Sequence, residues 1–131
     1  MKQCLIVDGS RVIRRVAARI LEDLKFETAE AENGLSALEA CRHKMPDAVL
    51  VDAHLQDMPA ADFVRNLRRE AKGGGPIVIY CTTENDSDEI ALAVSAGAND
   101  FLLKPFDRES LENKLAEVGL LGGGQAEHAR V

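Results

Sequence analysis

No apolar run in the sequence approaches the roughly 18 residues that a membrane-spanning helix needs. The run nearest the N-terminus, Cys4-Leu5-Ile6-Val7, is closed at once by Asp8 and is too short for the apolar stretch of a secretory signal. Basic residues are outnumbered, 16 against 22 acidic ones, and the formal net charge is −6. That balance disfavours general nucleic-acid binding, which relies on neutralising phosphates, but allows a small local basic patch. Cysteine occurs three times, at Cys4, Cys41 and Cys81, with neither CxxC spacing nor a metal-like Cys/His cluster. Free buried thiols in a reducing compartment follow. His43 and His128 likewise stand without ligand spacing around them. There is no repeat of fixed period and no room for a second domain, since 131 residues allow one. What remains is a cytoplasmic globular domain whose 46% hydrophobic content is enough for a sizeable core.

What the sequence does contain is a set of short apolar runs, each ending in a polar residue. Ala48-Val49-Leu50-Val51 runs straight into Asp52, as a strand buried on both faces would. Cys4–Val7 ends in Asp8, Ile77–Cys81 in Thr82-Thr83, and Phe101-Leu102-Leu103 in Lys104-Pro105-Phe106. Phe26–Ala31 is a weaker strand candidate. Helical spacing connects them. Ser10 can cap a helix whose buried face is Ile13, Val16, Ala17, Ile20, Leu21 and Leu24. A turn at Asn33-Gly34 leads to a helix through Leu35, Leu38 and Cys41. The next helices present Ala60, Phe63, Val64 and Leu67, then Ile90, Ala93 and Val94, then Leu111, Leu115 and Val118. Lys72-Gly73-Gly74-Gly75-Pro76 is a flexible break, and Glu84–Glu89 opens the fourth helix with acids that suit its N-terminus. The domain spans residues 1–121, and a flexible tail occupies 122–131.

Strand and helix thus alternate five times, which implies an α/β fold with a parallel sheet covered by helices on both faces. A parallel sheet gathers its strand C-termini at one edge, where ligands collect in such folds. Asp8, Asp52, Thr82 and Lys104 therefore converge. Two carboxylates, a hydroxyl and an ammonium can place a phosphoryl group on a carboxylate. Asp52 is the nucleophile, a hard divalent cation neutralises the phosphoryl oxygens, and Lys104 and Thr82 donate to the same oxygens.

The order and spacing of Leu5-Ile6-Val7-Asp8, Val49-Leu50-Val51-Asp52, Thr82, Ala96-Gly97-Ala98 and Phe101–Phe106 resemble the receiver domain of two-component response regulators, from Cys4 to about Val118. The resemblance implies a flavodoxin-like, five-stranded parallel sheet of order 2-1-3-4-5. It implies phosphorylation of Asp52 by a sensor histidine kinase or a histidine phosphotransfer protein. It implies Mg²⁺ bound by Asp8, Asp52 and the backbone carbonyl of His54. Thr82 and Phe101 become a coupled switch pair, Lys104-Pro105 a cis peptide, and the surface of helix 4, strand 5 and helix 5 the output face. The helix 1 region, with Arg11, Arg14 and Arg15, becomes a docking surface for the phosphodonor. The expected protein is a stand-alone response regulator, not an enzyme in its own right, that signals through protein–protein contacts to an unnamed target.

Two departures qualify the resemblance. The family usually carries two adjacent acids after strand 1; here Asp8 matches the first and Gly9 replaces the second, which should weaken Mg²⁺ binding. After Asp52, Gln56 stands at the family's usual proline and Pro59-Ala60 at its usual Asp-Gly pair. The alternative function is a degenerate receiver that binds partners without phosphorylation. A phosphatase using Asp52 would want a second aspartate where His54 stands. A flavin carrier would want a phosphate-cradling loop, of which Gly9-Ser10 is a faint echo. A small nucleotide is the alternative occupant for the arginines, and a plain solvated helix face the bland one. The imidazole of His54 is expected to face solvent.

Overall fold

A computed structural model describes residues 1–70 and 72–121. The tail expected at 122–131 lies outside the described residues. The elements are β1 Gln3–Val7, α1 Arg11–Asp23, β2 Glu27–Ala31, α2 Gly34–His43, β3 Ala48–Asp52, α3 Ala60–Arg69, β4 Ile77–Thr82, α4 Ser87–Ala96, β5 Asp100–Leu103 and α5 Arg108–Glu117. All strand pairs are parallel and the order is β2-β1-β3-β4-β5, as expected. No helix of the described residues is long and apolar enough to cross a membrane.

Side chains alternate across a strand, so each apolar run feeds two cores. Leu5, Val7, Val49, Val51, Val78 and Tyr80 face α2, α3 and α4, where Leu38, Phe63, Val64 and Leu67 cover them. Cys4, Ile6, Leu50, Ile79, Cys81 and Leu102 face the other way, toward Ala17, Ala18 and Leu21 of α1 and Leu111 and Leu115 of α5. β2 gave the faintest strand signal because it is an edge strand; of its five residues only Ala31 is buried. The predicted helix faces hold in α3 and α5, but Val16, Leu35 and Val94 are 50%, 61% and 48% exposed. The stripe that α1 buries is narrower than its apolar periodicity, and Val16 instead lines an open groove with Pro105 and Phe106.

Two presumed loop signals build structure. Asn33 is the N-cap of α2: its side chain accepts from Ser36 N–H at 2.8 Å, and the Ser36 hydroxyl returns the contact to Asn33 N–H. The glycine-rich stretch after α3 is held by Arg68. Its guanidinium donates to the carbonyls of Gly73 (2.8 Å), Pro76 (2.8 Å) and Gly97 (2.7 Å) and to Asn99 Oδ1 (3.0 Å). Gly97 ends α4 with φ of +126°, and a Cβ there would lie 2.8 Å from Arg68 Cγ, so glycine serves both the cap and the close approach.

All three cysteines are buried and free. Burial pushes the thiols of Cys4 and Cys81 up to about 12 and that of Cys41 up to about 11. A thiol-disulfide reagent at pH 8 should therefore leave the native protein untouched and titrate three thiols only in denaturant. Rapid modification of the native protein would show that one of the two cores opens readily.

Candidate functional site

Strand phase explains which polar residues meet. Asp8 continues the phase of Ile6, Asp52 that of Leu50 and Lys104 that of Leu102, the residues that face α1 and α5. β1 and β3 are neighbours, with Val7 opposite Val51, so the two carboxylates emerge side by side. Lys104 reaches across from β5. Its ammonium lies 2.6 Å from Asp8 Oδ2 and 2.6 Å from Asp52 Oδ1. The three side chains are only 9%, 7% and 16% exposed, in the order Lys104, Asp8, Asp52. Burial alone would lower the lysine pKa, but its bonds to Asp52 and Asp8 outweigh that and hold it above the ordinary value. The Lys104–Pro105 peptide is cis.

Asp8 is the most firmly fixed of the three. Ser10 N–H donates to its Oδ1 at 2.8 Å, and its own N–H donates to the Ala31 carbonyl at 3.0 Å. Arg14 donates to its carbonyl at 2.6 Å and also to Glu30 Oε1 at 3.1 Å. Arg14 therefore departs from the expected docking set, since its guanidinium is spent on the β1–β2 corner. Arg15 is exposed and reaches Glu30 at 3.5 Å, and Arg11 is exposed. These two remain at the surface of α1. Beside them, Val12, Ile13, Val16, Thr83, Pro105 and Phe106 line a largely apolar groove of about 300 Å³ that ends on Lys104.

Thr82 stands apart from the trio. It has the phase of Val78 and Tyr80, is buried, and its hydroxyl accepts from Glu84 N–H at 3.1 Å. Phe101 lies opposite Tyr80 in the sheet and is half-buried. Lys114 Nζ sits 5.7 Å from the Phe101 ring centroid and pairs with Asp100 and Glu117. His54 is exposed, as expected, and forms an isolated antiparallel bridge with Pro59 that folds the β3–α3 segment back on itself. Glu84, Asp86 and Glu89 also bring carboxylate oxygens within 4.8 Å of one another. Asp86 is the N-cap of α4, accepting from Asp88 and Glu89 N–H, so capping accounts for it.

The donor set suits a divalent cation. Asp8 and Asp52 are hard oxygen ligands, the family resemblance adds the His54 carbonyl as a third, and Mg²⁺ in particular keeps several waters beside one or two carboxylates. At Gly9 nothing lies nearer to an ideal Cβ than the Glu32 carbonyl, at 3.9 Å, and its φ is not positive. The position could hold a side chain; the missing acid is a chemical choice rather than a steric one.

One residue of the site region escaped the sequence reading. Asp57, at the tip of the folded β3–α3 segment, accepts from Gly34 and Leu35 N–H at 2.9 Å each. Burial tends to raise its pKa, but backbone N–H groups, first those of Gly34 and Leu35 and then those of Asp57 itself and Met58, outweigh that and hold the carboxyl below its ordinary value. Nothing in the local sequence announces the contact, which joins residues 23 and 22 positions apart.

Comparison with known proteins agrees with this geometry. Residues 4–116 match the model of the response regulator receiver domain. Chemotaxis protein CheY-3 of Vibrio cholerae is 33% identical over 115 residues, covering 87% of this chain and 88% of that protein. The structure of chemotaxis response regulator CheY4 of Vibrio cholerae superposes with a TM-score of 0.86 at 28% identity, covering 90% of this chain and 98% of that one. The receiver domain of sensor histidine kinase PA1611 from Pseudomonas aeruginosa, solved with a magnesium ion coordinated in the active site cleft, gives 0.81 at 25% identity over 88% of this chain and 95% of that one. With the family model spanning nearly all of its described length, the chain belongs to the response regulator receiver domain family.

Proposed function

We propose that Asp52 accepts a phosphoryl group from a phosphohistidine and that the resulting acyl phosphate changes the protein's contacts with a partner. The observation that supports this most directly is the pair of carboxylates, Asp8 and Asp52, held about one buried ammonium at the strand edge. An Asp52 oxygen attacks phosphorus, the P–N bond breaks, and the imidazole nitrogen leaves with the bonding electrons and takes up a proton. Lys104, already bonded to Asp52, stays beside the carboxylate and donates to a phosphoryl oxygen. Thr82 supplies its hydroxyl by leaving Glu84 N–H. Bound Mg²⁺, held by Asp8, Asp52 and the His54 carbonyl, would supply charge neutralisation at the phosphoryl oxygens.

The donor would dock on the groove between α1 and the β5–α5 turn, where apolar Val12, Val16 and Phe106 adjoin the exposed Arg11 and Arg15 and lead to the site. On the far side, Phe101 next to Tyr80 on the adjacent strand gives a half-buried ring. Exposed Val94 on α4 and Leu103 on β5 are candidate output contacts. Phosphorylation would shift an equilibrium between two arrangements of this surface.

The test is intact mass after incubation with acetyl phosphate and Mg²⁺. The parent should gain about 80 Da, the mass of one phosphoryl group, and Asp52→Asn should gain nothing. A second reading rests on Gly9: a receiver that binds partners without being phosphorylated. Absence of the adduct under all metal conditions, with partner binding unchanged in Asp52→Asn, would select it.

A further inference from the structure

The β3–α3 segment carries one of the three proposed cation donors, the His54 carbonyl, while Asp8 directly follows β1. Something must hold these two parts in register. Within the segment, Ala60 N–H reaches the Ala53 carbonyl at 3.4 Å, and His54 pairs with Pro59. Those contacts close the segment on itself but do not fix it against β1. Its start is held to β4, where Ala53 N–H bonds the Cys81 carbonyl at 2.8 Å and Leu55 is buried in the core; its link to α2 is Asp57, which accepts from the first two N–H groups of that helix.

The first turn of α2 is fully accounted for. Asp57 takes Gly34 and Leu35 N–H, the Asn33 side chain takes Ser36 N–H, and the Asn33 carbonyl takes Ala37 N–H. Two of these four donors are thus satisfied from the active-site segment rather than from within the helix. Met58 adds packing: a Cβ on Gly34 would lie 2.5 Å from its Sδ, so the segment rests directly on the helix start. The chain entering α2 passes Gly9, whose ideal Cβ position is 3.9 Å from the Glu32 carbonyl, and Ala31 just before it accepts from Asp8 N–H. A closed path therefore runs from Asp52 through the segment to Asp57, across to α2, back along Glu32 and Ala31 to Asp8, and through Lys104 to Asp52.

We propose that Asp57 is a positioning residue of the cation site: by tying the β3–α3 segment to the start of α2, it sets the distance between the His54 carbonyl and the Asp8 carboxylate. It rests on the metal-dependent function proposed above. With Gly9 in place of an acid, fewer ligands define the site, so the placement of each remaining donor matters more. Gln56 does not stiffen the middle of the segment as a proline would, and Pro59 lies at its far end, so Asp57 is what ties the tip to α2.

Mg²⁺ titration followed by backbone amide chemical shifts tests this without reference to turnover. Asp57→Ala should raise the half-saturating Mg²⁺ concentration about tenfold, and Asp57→Asn, which keeps one acceptor, by less. Asn33→Ala is the control: it frays the same helix end and lowers Tm but leaves the segment anchored, so its Mg²⁺ midpoint should match the parent. An unchanged midpoint in folded Asp57→Ala overturns the proposal. So does an equal shift in Asn33→Ala at matched Tm, which would mean helix stability alone is at work. Should Asp57→Ala fail to fold, Asp57→Asn carries the comparison. A parent with no Mg²⁺-dependent shifts at Asp8, Asp52 or the segment would overturn the metal-dependent function itself, a distinct result.

Discussion

Replacing Lys104 with methionine should slow phosphorylation of Asp52 by about two to three orders of magnitude, the usual loss when one preorganised donor to a developing anion is removed. The same change should also lower stability by roughly 3 kcal/mol, because it leaves two carboxylates facing each other where a cation had joined them. Both Asp8 and Asp52 bond the one ammonium at 2.6 Å, so neither has another cation of comparable closeness among the described residues. A second substitution separates the two effects. Asp8→Asn in the Lys104→Met background should recover stability by removing the like-charge contact, yet not recover the rate. Urea unfolding and the time course of the acetyl phosphate adduct measure the two quantities. A Lys104→Met protein that is phosphorylated at the parental rate would contradict the proposed role. pH supplies a further check. The folded pKa of Lys104 is raised above the ordinary lysine value of 10.5. Its contribution to stability is therefore fully present below that value and is lost as pH rises through the folded pKa. From neutral pH upward, the stability gap between parent and Lys104→Met should stay flat and then narrow in strong alkali.

Gly9→Asp should strengthen Mg²⁺ binding about tenfold, since it restores a charge and an oxygen next to Asp8. The substitution is sterically free, with nothing nearer than 3.9 Å to the new Cβ and no positive φ to resist it. The cost appears without metal: a third carboxylate beside one lysine should lower the stability of the metal-free protein and make Tm rise more steeply with Mg²⁺ than it does in the parent. Identical Mg²⁺ midpoints for parent and Gly9→Asp would show that the second acid is dispensable in this chain. They would also undercut the idea that the native site is weak.

The fold was legible because the strands other than the edge strand β2 carry apolar runs that feed two cores, and each of those runs stops at a polar residue. Strand order followed from five strand–helix repeats together with the family resemblance. The meeting of Asp8, Asp52 and Lys104 was legible for the same reason, since residues at parallel strand ends share one edge. Contacts made by side chains across long separations were not. Arg68 ties Gly73, Pro76, Gly97 and Asn99 together, but in the sequence it is one of several arginines on a polar helix face. Arg14 looked like a surface charge until the turn of α1 placed it on the Asp8 carbonyl. Asn33-Gly34 carried a turn signature that the helix start also satisfies, because both exploit the same short side-chain acceptor. Val16, Leu35 and Val94 fit a helical apolar period, but period alone does not tell how wide a stripe the sheet will cover.

Tyr80 gives the chain an optical property. It is the only tyrosine, and there is no tryptophan. It sits buried on β4 between Val51 of β3 and Phe101 of β5, one strand from Asp52, the proposed phosphoacceptor, and directly opposite the proposed switch ring. Its near-ultraviolet emission therefore comes from one place, and that place is where the two arrangements of the protein should differ most. The unmodified protein carries its own single-site fluorophore. Intensity or lifetime changes on adding acetyl phosphate would follow the switch in real time, with Asp52→Asn as a silent baseline.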